Sequence, residues 1–177
     1  MKVGISIEDD LKRAKAIRDI IDDPKQQPKY INIDPKSIEN KNAGPTGKIY
    51  FYSVVIIYLL IWIKISGNVL MIDANQIWDV EEAIEYVKKL ESCRPWFIEE
   101  PTFPDDVLGH AKIRNGLKDV NIGVATGEHC ANRVMFKQFL QAQALDVLQL
   151  DSCRVASVNE CLAIMLLAAK FNIPGMF

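Results

Sequence analysis

No C-x-x-C pair occurs among the four cysteines, Cys93, Cys130, Cys153 and Cys161. Zinc ribbons and thioredoxin-type chemistry therefore lose support, and a reduced intracellular compartment is the simplest setting. An excess of positive charge is missing too: the formal net charge is −2, so nothing favours nucleic acid as a partner. The opening MKVGISIEDD has no apolar stretch of the secretory kind and no Arg/Ser bias of the transit-peptide kind, and secretion is not expected. Histidine is nearly absent, with only His110 and His129. What is present is ordinary for a globular domain: 49% hydrophobic and 25% charged residues, in a length of 177 that allows one sizeable core.

Residues 68–177 alternate strand-like and helical runs. NVLMID (68–73), WFIE (96–99), NIGVAT (121–126) and DVLQLD (146–151) read as strands. Between them, 79–90 reads as a helix with Asp79 as N-cap, Glu82 at the capping-box position, and Val80, Ala83, Ile84, Val87 and Leu90 on one face. Further helices are predicted within 105–117, within 131–142 (Val134, Phe136, Phe139, Leu140) and over about 157–170 (Val158, Leu162, Ile164, Met165, Leu167). This order argues for an α/β fold, a parallel sheet with helices packed outside it. Before it, residues 6–21 look like an amphipathic helix with Ser6 and Asp9 as caps and Leu11, Ala14, Ile17 and Ile21 on one face.

Residues 23–67 break the rhythm. The stretch 23–48 holds four prolines with much Lys and Asn and reads as disordered. The run IYFYSVVIIYLLIWI (49–63) follows, flanked by Lys48 and Lys64. As a helix it would span roughly 22 Å, against the roughly 30 Å of a bilayer core. It is either a marginal membrane segment or part of an insertion foreign to the fold, and the insertion is favoured.

Each predicted strand ends at or near an acid. Asp73, Glu99, Glu128 and Asp151 follow one another at intervals of 26, 29 and 23 residues, each about one unit of a (β/α)₈ barrel, where a unit takes roughly 30 residues. Such barrels keep their active sites at the C-terminal ends of their strands. Carboxylates converging there repel one another unless a cation joins them. Mg²⁺, which takes oxygen ligands in an octahedron, suits that set, and the lack of His at these positions disfavours zinc. The bland alternative is that some of these acids are helix N-caps.

VLMIDANQIWD, WFIEEPTFPDD, GVATGEHCANR and LQLDSCR, in this order and spacing, resemble the metal-binding half-barrel of the enolase superfamily in its mandelate racemase-like branch. They are most similar to its L-fuconate dehydratases and the mitochondrial proteins related to them. The resemblance covers 68–174 almost without gaps and resumes over 2–22. It implies that Asp73, Glu99 and Glu128 bind Mg²⁺, that Asn75 lies near metal and substrate, and that Glu100 supports the ligands; His129, directly after a ligand, reads as a supporting residue from its position. A plain surface acid is the other reading of Glu100. Lys2 would be a catalytic base, and Asp151 would pair with a catalytic His on the following strand. The implied reaction removes the proton α to a sugar-acid carboxylate, stabilises the enediolate with Mg²⁺ and expels the β-hydroxyl to give a 2-keto-3-deoxy acid. L-fuconate or a similar sugar acid is the implied substrate, homo-oligomers are common in the family, and the implied location is mitochondrial, otherwise cytoplasmic.

The chain departs from that pattern in three places. The sequence stops at Phe177, before a base His, and His110 reads as a cap or surface residue of a helix. Lys2 stands at the very start of its strand, and no capping domain precedes it. Lys2 and Asp73 are 71 positions apart, about 40 more than one unit needs, an excess that matches residues 25–67. The expectation is three segments: a βα piece (1–22), an insertion (23–67) and a C-terminal piece (68–177). Together they make about half of a (β/α)₈ TIM barrel, with turnover by this chain not expected. A non-catalytic, membrane-associated or regulatory fragment, or another dehydratase or racemase of the family, remains open at this stage.

Overall fold

The computed structural model describes residues 1–4, 6–23 and 69–176. Apart from Asp23, the disorder and the apolar run read over 23–67 lie outside the described residues. One compact unit comprises Met1–Ile20 with Val69–Phe177, and a second comprises Ile21–Asn68.

Five strands, β1 (Leu70–Asp73), β2 (Pro95–Glu99), β3 (Gly123–Thr126), β4 (Val147–Gln149) and β5 (Gly175–Met176), form one parallel sheet in that order. Helix α1 (Ile7–Asp22) precedes them, and α2 (Val80–Lys89), α3 (Val107–Gly116), α4 (Arg133–Gln141) and α5 (Val158–Lys170) connect them. Strands adjacent in sequence are adjacent in the sheet. That is the order of a (β/α) barrel, whereas a doubly wound sheet reverses direction part-way. The expected partial TIM barrel is therefore what the chain forms. The start of the chain extends the arc: Lys2 bridges Asp73 in parallel, Asp73 N–H donates to Met1 O, and Val3 N–H donates to Asp73 O, both at 2.9 Å.

Alternation along the strands separates two faces. Leu70 and Ile72 are buried, while Met71 and Asp73, on the opposite face, are partly open. Phe97, Ala125 and Val147 make a small cluster, with Trp96 and Met176 against it. Glu99 sits two residues beyond Phe97 and so shares its face. A larger cluster built from Phe136, Phe139, Leu145, Leu148 and Ile164 joins α4 and α5 to β4. Phe136, Phe139 and Leu140 fall at i, i+3 and i+4, which gives α4 its buried stripe. Asn132 Oδ1 caps α4 through Val134 N–H and Met135 N–H, Ser157 Oγ caps α5 through Glu160 N–H, and Asp106 caps α3 through Gly109 N–H.

Helix α1 is tied down by polar contacts. Arg18 donates to Cys93 O at 3.0 Å and to Arg94 O at 2.7 Å. Asp10, wholly buried, accepts from Gly4 N–H at 2.6 Å, from Tyr86 Oη–H at 2.8 Å and from Arg13.

Several expectations need correcting. Asp79 stands at the N-cap of α2, where its carbonyl accepts the first helical bond from Ala83 N–H, but its side chain takes no backbone N–H of the first turn. Val134, Val158 and Leu162 are exposed, since the buried faces of α4 and α5 are centred on Phe136/Phe139 and on Ile164/Ala168. His110 is neither cap nor surface residue. It is fully buried, with its ring edge-on to Phe139 at 5.4 Å and Nδ1 2.8 Å from Asp106 O. Among the described residues, no helix is long and apolar enough to cross a membrane.

Candidate metal and substrate site

Parallel register brings the acids together. Asp73 pairs with Glu99, and Glu99 with Ala125, at the C-terminal ends of β1, β2 and β3. After Thr126 the chain passes through Gly127 at φ 131°, where a Cβ would lie 2.4 Å from Gln149 O and 2.7 Å from Phe136. Only glycine fits that close approach, and the turn delivers Glu128 next. Burial pushes the Glu99 carboxyl above its ordinary range, a hydrogen bond from Gln149 opposes this, and the charges of Asp73, Glu128 and Glu100 push it further up.

Lys2 reaches this group from the chain start. Its ammonium lies 2.8 Å from Asp73 Oδ2 and donates to Asn75 Oδ1 at 2.5 Å. The hydrogen bond to Asp73 raises its proton affinity, and the charges of Asp73, Glu128 and Glu99 add to the effect. Asn75 is held in turn, its backbone N–H donating to Asp73 Oδ1 at 2.7 Å.

Behind Glu99, Glu100 is 2% exposed, so of its two readings the surface acid is excluded. Two donors converge on its carboxylate, one per oxygen: His129 Nδ1 lies 2.6 Å from Oε1, and Gln76 Nε2 donates to Oε2 at 2.6 Å. A carboxylate at that distance assigns the proton to His129 Nδ1. Gln76 Nε2 and His129 Nδ1 stand 3.1 Å apart as neighbouring donors. His129 Nδ1 is also 3.5 Å from Glu128 Oε1. Glu100, Glu128 and His129 bring ligand atoms within 4.8 Å of one another, a grouping that does not contain Asp73 or Glu99. The donor set across the strand ends is almost wholly carboxylate oxygen, which fits a hard divalent cation.

Asp151 follows β4 but is not brought to a histidine. Its Oδ1 accepts from Cys153 N–H at 2.8 Å, and Oδ2 lies 3.7 Å from Arg154. Sequence reasoning missed Gln76 and Gln149. Gln76 is the last residue of the DANQ run, and its neighbours Asp73 and Asn75 were the available signal.

Residues 63–177 match the family described as enolase C-terminal domain-like. The chain belongs to that family. Among relatives of this enolase-like chain, the L-galactonate dehydratase of Hypocrea jecorina is 59% identical over 109 residues, covering 62% of this chain and 24% of the relative. The crystal structure of human mitochondrial enolase superfamily member 1 is 43% identical with a TM-score of 0.69, over 98% of this chain and 30% of that one. The L-talarate dehydratase of Polaromonas sp. JS666, solved with Mg and L-glucarate, is 26% identical with a TM-score of 0.57, over 76% and 35%. The chain spans less than a third of the length of curated relatives that it matches.

Proposed function

We propose that this chain carries the metal-holding arc of a Mg²⁺-dependent acid-sugar dehydratase, with L-fuconate or a close analogue as substrate and mitochondria as its location. The observation that carries this reading is the register pairing of Asp73 with Glu99, next to Glu128 and facing Lys2. Dehydratase relatives and the Mg-bound talarate dehydratase support the reaction class.

Asp73, Glu99 and Glu128 would hold the ion. When bound, Mg²⁺ supplies Lewis-acid stabilisation of charge developing on the substrate carboxylate and neutralises the carboxylates that keep Lys2 protonated. Lys2 is the base for the α-proton, its Nζ aimed by Asn75 Oδ1 and Asp73. Asn75 marks the substrate side of the ion. Expulsion of the β-hydroxyl calls for an acid on the opposite side. Asp151 is engaged by Cys153 and Arg154, His129 by Glu100, and His110 is buried against Phe139. We therefore propose that the chain binds metal and does not by itself complete dehydration.

Mg²⁺ titration by calorimetry, followed by L-fuconate in D₂O with NMR detection of α-proton exchange and keto-acid formation, tests both parts. Metal binding that Asp73→Asn abolishes is expected, without keto acid. No metal binding by the folded chain would overturn the site, and sustained keto-acid release would overturn the inactivity.

A further inference from the structure

Gln76 holds Glu100 twice. Its backbone N–H donates to Glu100 O at 2.8 Å, and its side-chain Nε2 donates to Glu100 Oε2 at 2.6 Å. Both residues are in the left-handed region, Gln76 at φ 68° and Glu100 at φ 39°. Non-glycine residues rarely adopt that conformation and keep it only where surrounding contacts enforce it. Here the two strained residues enforce each other. Glu100 is the residue directly after Glu99, and its other oxygen takes His129, the residue directly after Glu128. One carboxamide on the β1–α2 loop therefore fastens the carboxylate that links the end of β2 to the loop after β3. Without its donor, Glu100 would be a buried carboxylate with one oxygen unpaired beside the charges of Glu99 and Glu128.

We infer that Gln76 is a positioning residue for the metal ligands: through Glu100 and His129 it sets the separation of Glu99 from Glu128, and thereby the affinity of the site for a divalent cation. The inference rests on the metal reading above and adds to it a residue that does not touch the ion. Partners of this kind, one shell out from a metal, typically change its affinity by 10–100-fold when removed.

The probe is Mn²⁺, titrated into the full 177-residue chain and followed by electron paramagnetic resonance of the free ion. Gln76→Met keeps the volume and removes the donor. Its Kd is expected to rise by about 10–100-fold with the far-UV circular dichroism unchanged. Should Gln76→Met fail to fold, Gln76→Asn takes its place, because Asn accepts a positive φ readily but is one methylene too short to reach Glu100. The decisive arm is the Glu100→Gln background, where no charge needs the donor. There the same change is expected to move Kd by less than about twofold. A purely structural Gln76 would weaken both backgrounds equally, or would lower thermal stability and leave Kd alone, and either result overturns the inference. Absence of Mn²⁺ binding by the unaltered chain would overturn the metal reading and this inference with it. Binding by the unaltered chain that Asp73→Asn removes and Gln76→Met spares would overturn this inference alone.

Discussion

Asp73 and Glu99 face each other as register partners across β1 and β2, so the sheet's own hydrogen bonds hold two carboxylates side by side. Glu99 is partly buried there, and its carboxyl is pushed up by burial and by the charges of Asp73, Glu128 and Glu100. The site is thus a place where the metal-free fold is locally unfavourable.

Glu99→Gln is accordingly expected to raise the melting temperature of the metal-free chain at pH 7 by about 2–4 °C, the effect of roughly 1 kcal/mol in a protein of this size. The same variant should lose the further rise that Mg²⁺ gives the unaltered chain. Differential scanning calorimetry with EDTA and with Mg²⁺ measures both, and a lower metal-free melting temperature would contradict the repulsion argument.

His110 gives a pH dependence of defined sign. Burial holds its imidazole below the ordinary value of 6.5, with the hydrogen bond to the Asp106 carbonyl opposing. The folded state thus keeps His110 neutral, while the unfolded chain gains a proton near pH 6.5. Its contribution to stability is full above that pH and is lost as the pH falls below it. Between pH 7.5 and 5.5 the unaltered chain should lose more stability than His110→Leu does, read from urea midpoints.

The cysteines should separate by reactivity. Burial pushes the Cys130 thiol up to about 12, with Asp105 and Glu100 adding to it. At pH 8 its thiolate fraction is then about one in ten thousand. Cys153 is exposed. Iodoacetamide at pH 8 followed by peptide mass spectrometry should label Cys153 first, with Cys130 labelled only after denaturation.

Asp10 gathers the chain start, α1 and α2 at one buried carboxylate. Asp10→Ala leaves Gly4 N–H and Tyr86 Oη–H without their acceptor and should cost about 3 kcal/mol in the urea midpoint. Tyr86→Phe, which removes one of the three bonds, should cost about 1 kcal/mol.

Periodicity made the barrel arc legible. Strand ends at Asp73 and Glu99 and the buried stripe of Phe136, Phe139 and Leu140 follow from patterns of two and of three-to-four residues. Of the apolar residues read on the last helix, Ile164 is buried while Val158 and Leu162 are exposed, because from Cys161 to Ala169 every position is apolar and only packing chooses Ile164 and Ala168. Burial of His110 was hidden because an imidazole reads as polar in sequence, while its fit against Phe139 depends on a tertiary contact. The acids of the site could be counted at one-unit spacing, yet what holds them could not. Gln76 meets Glu100 only because both leave their strands with a positive φ, and no composition or periodicity signals that for a glutamine and a glutamate.

Sequential strand order also has a temporal consequence. Each pair from β1 to β5 closes a connection of about one βα unit, whereas Lys2 meets Asp73 across 71 positions. The longer closure costs about 0.9 kcal/mol more in chain entropy. During folding the carboxylates should therefore assemble first and the ammonium of Lys2 arrive afterwards, so that the young site is an empty anionic cup open to cations before its own lysine reaches it.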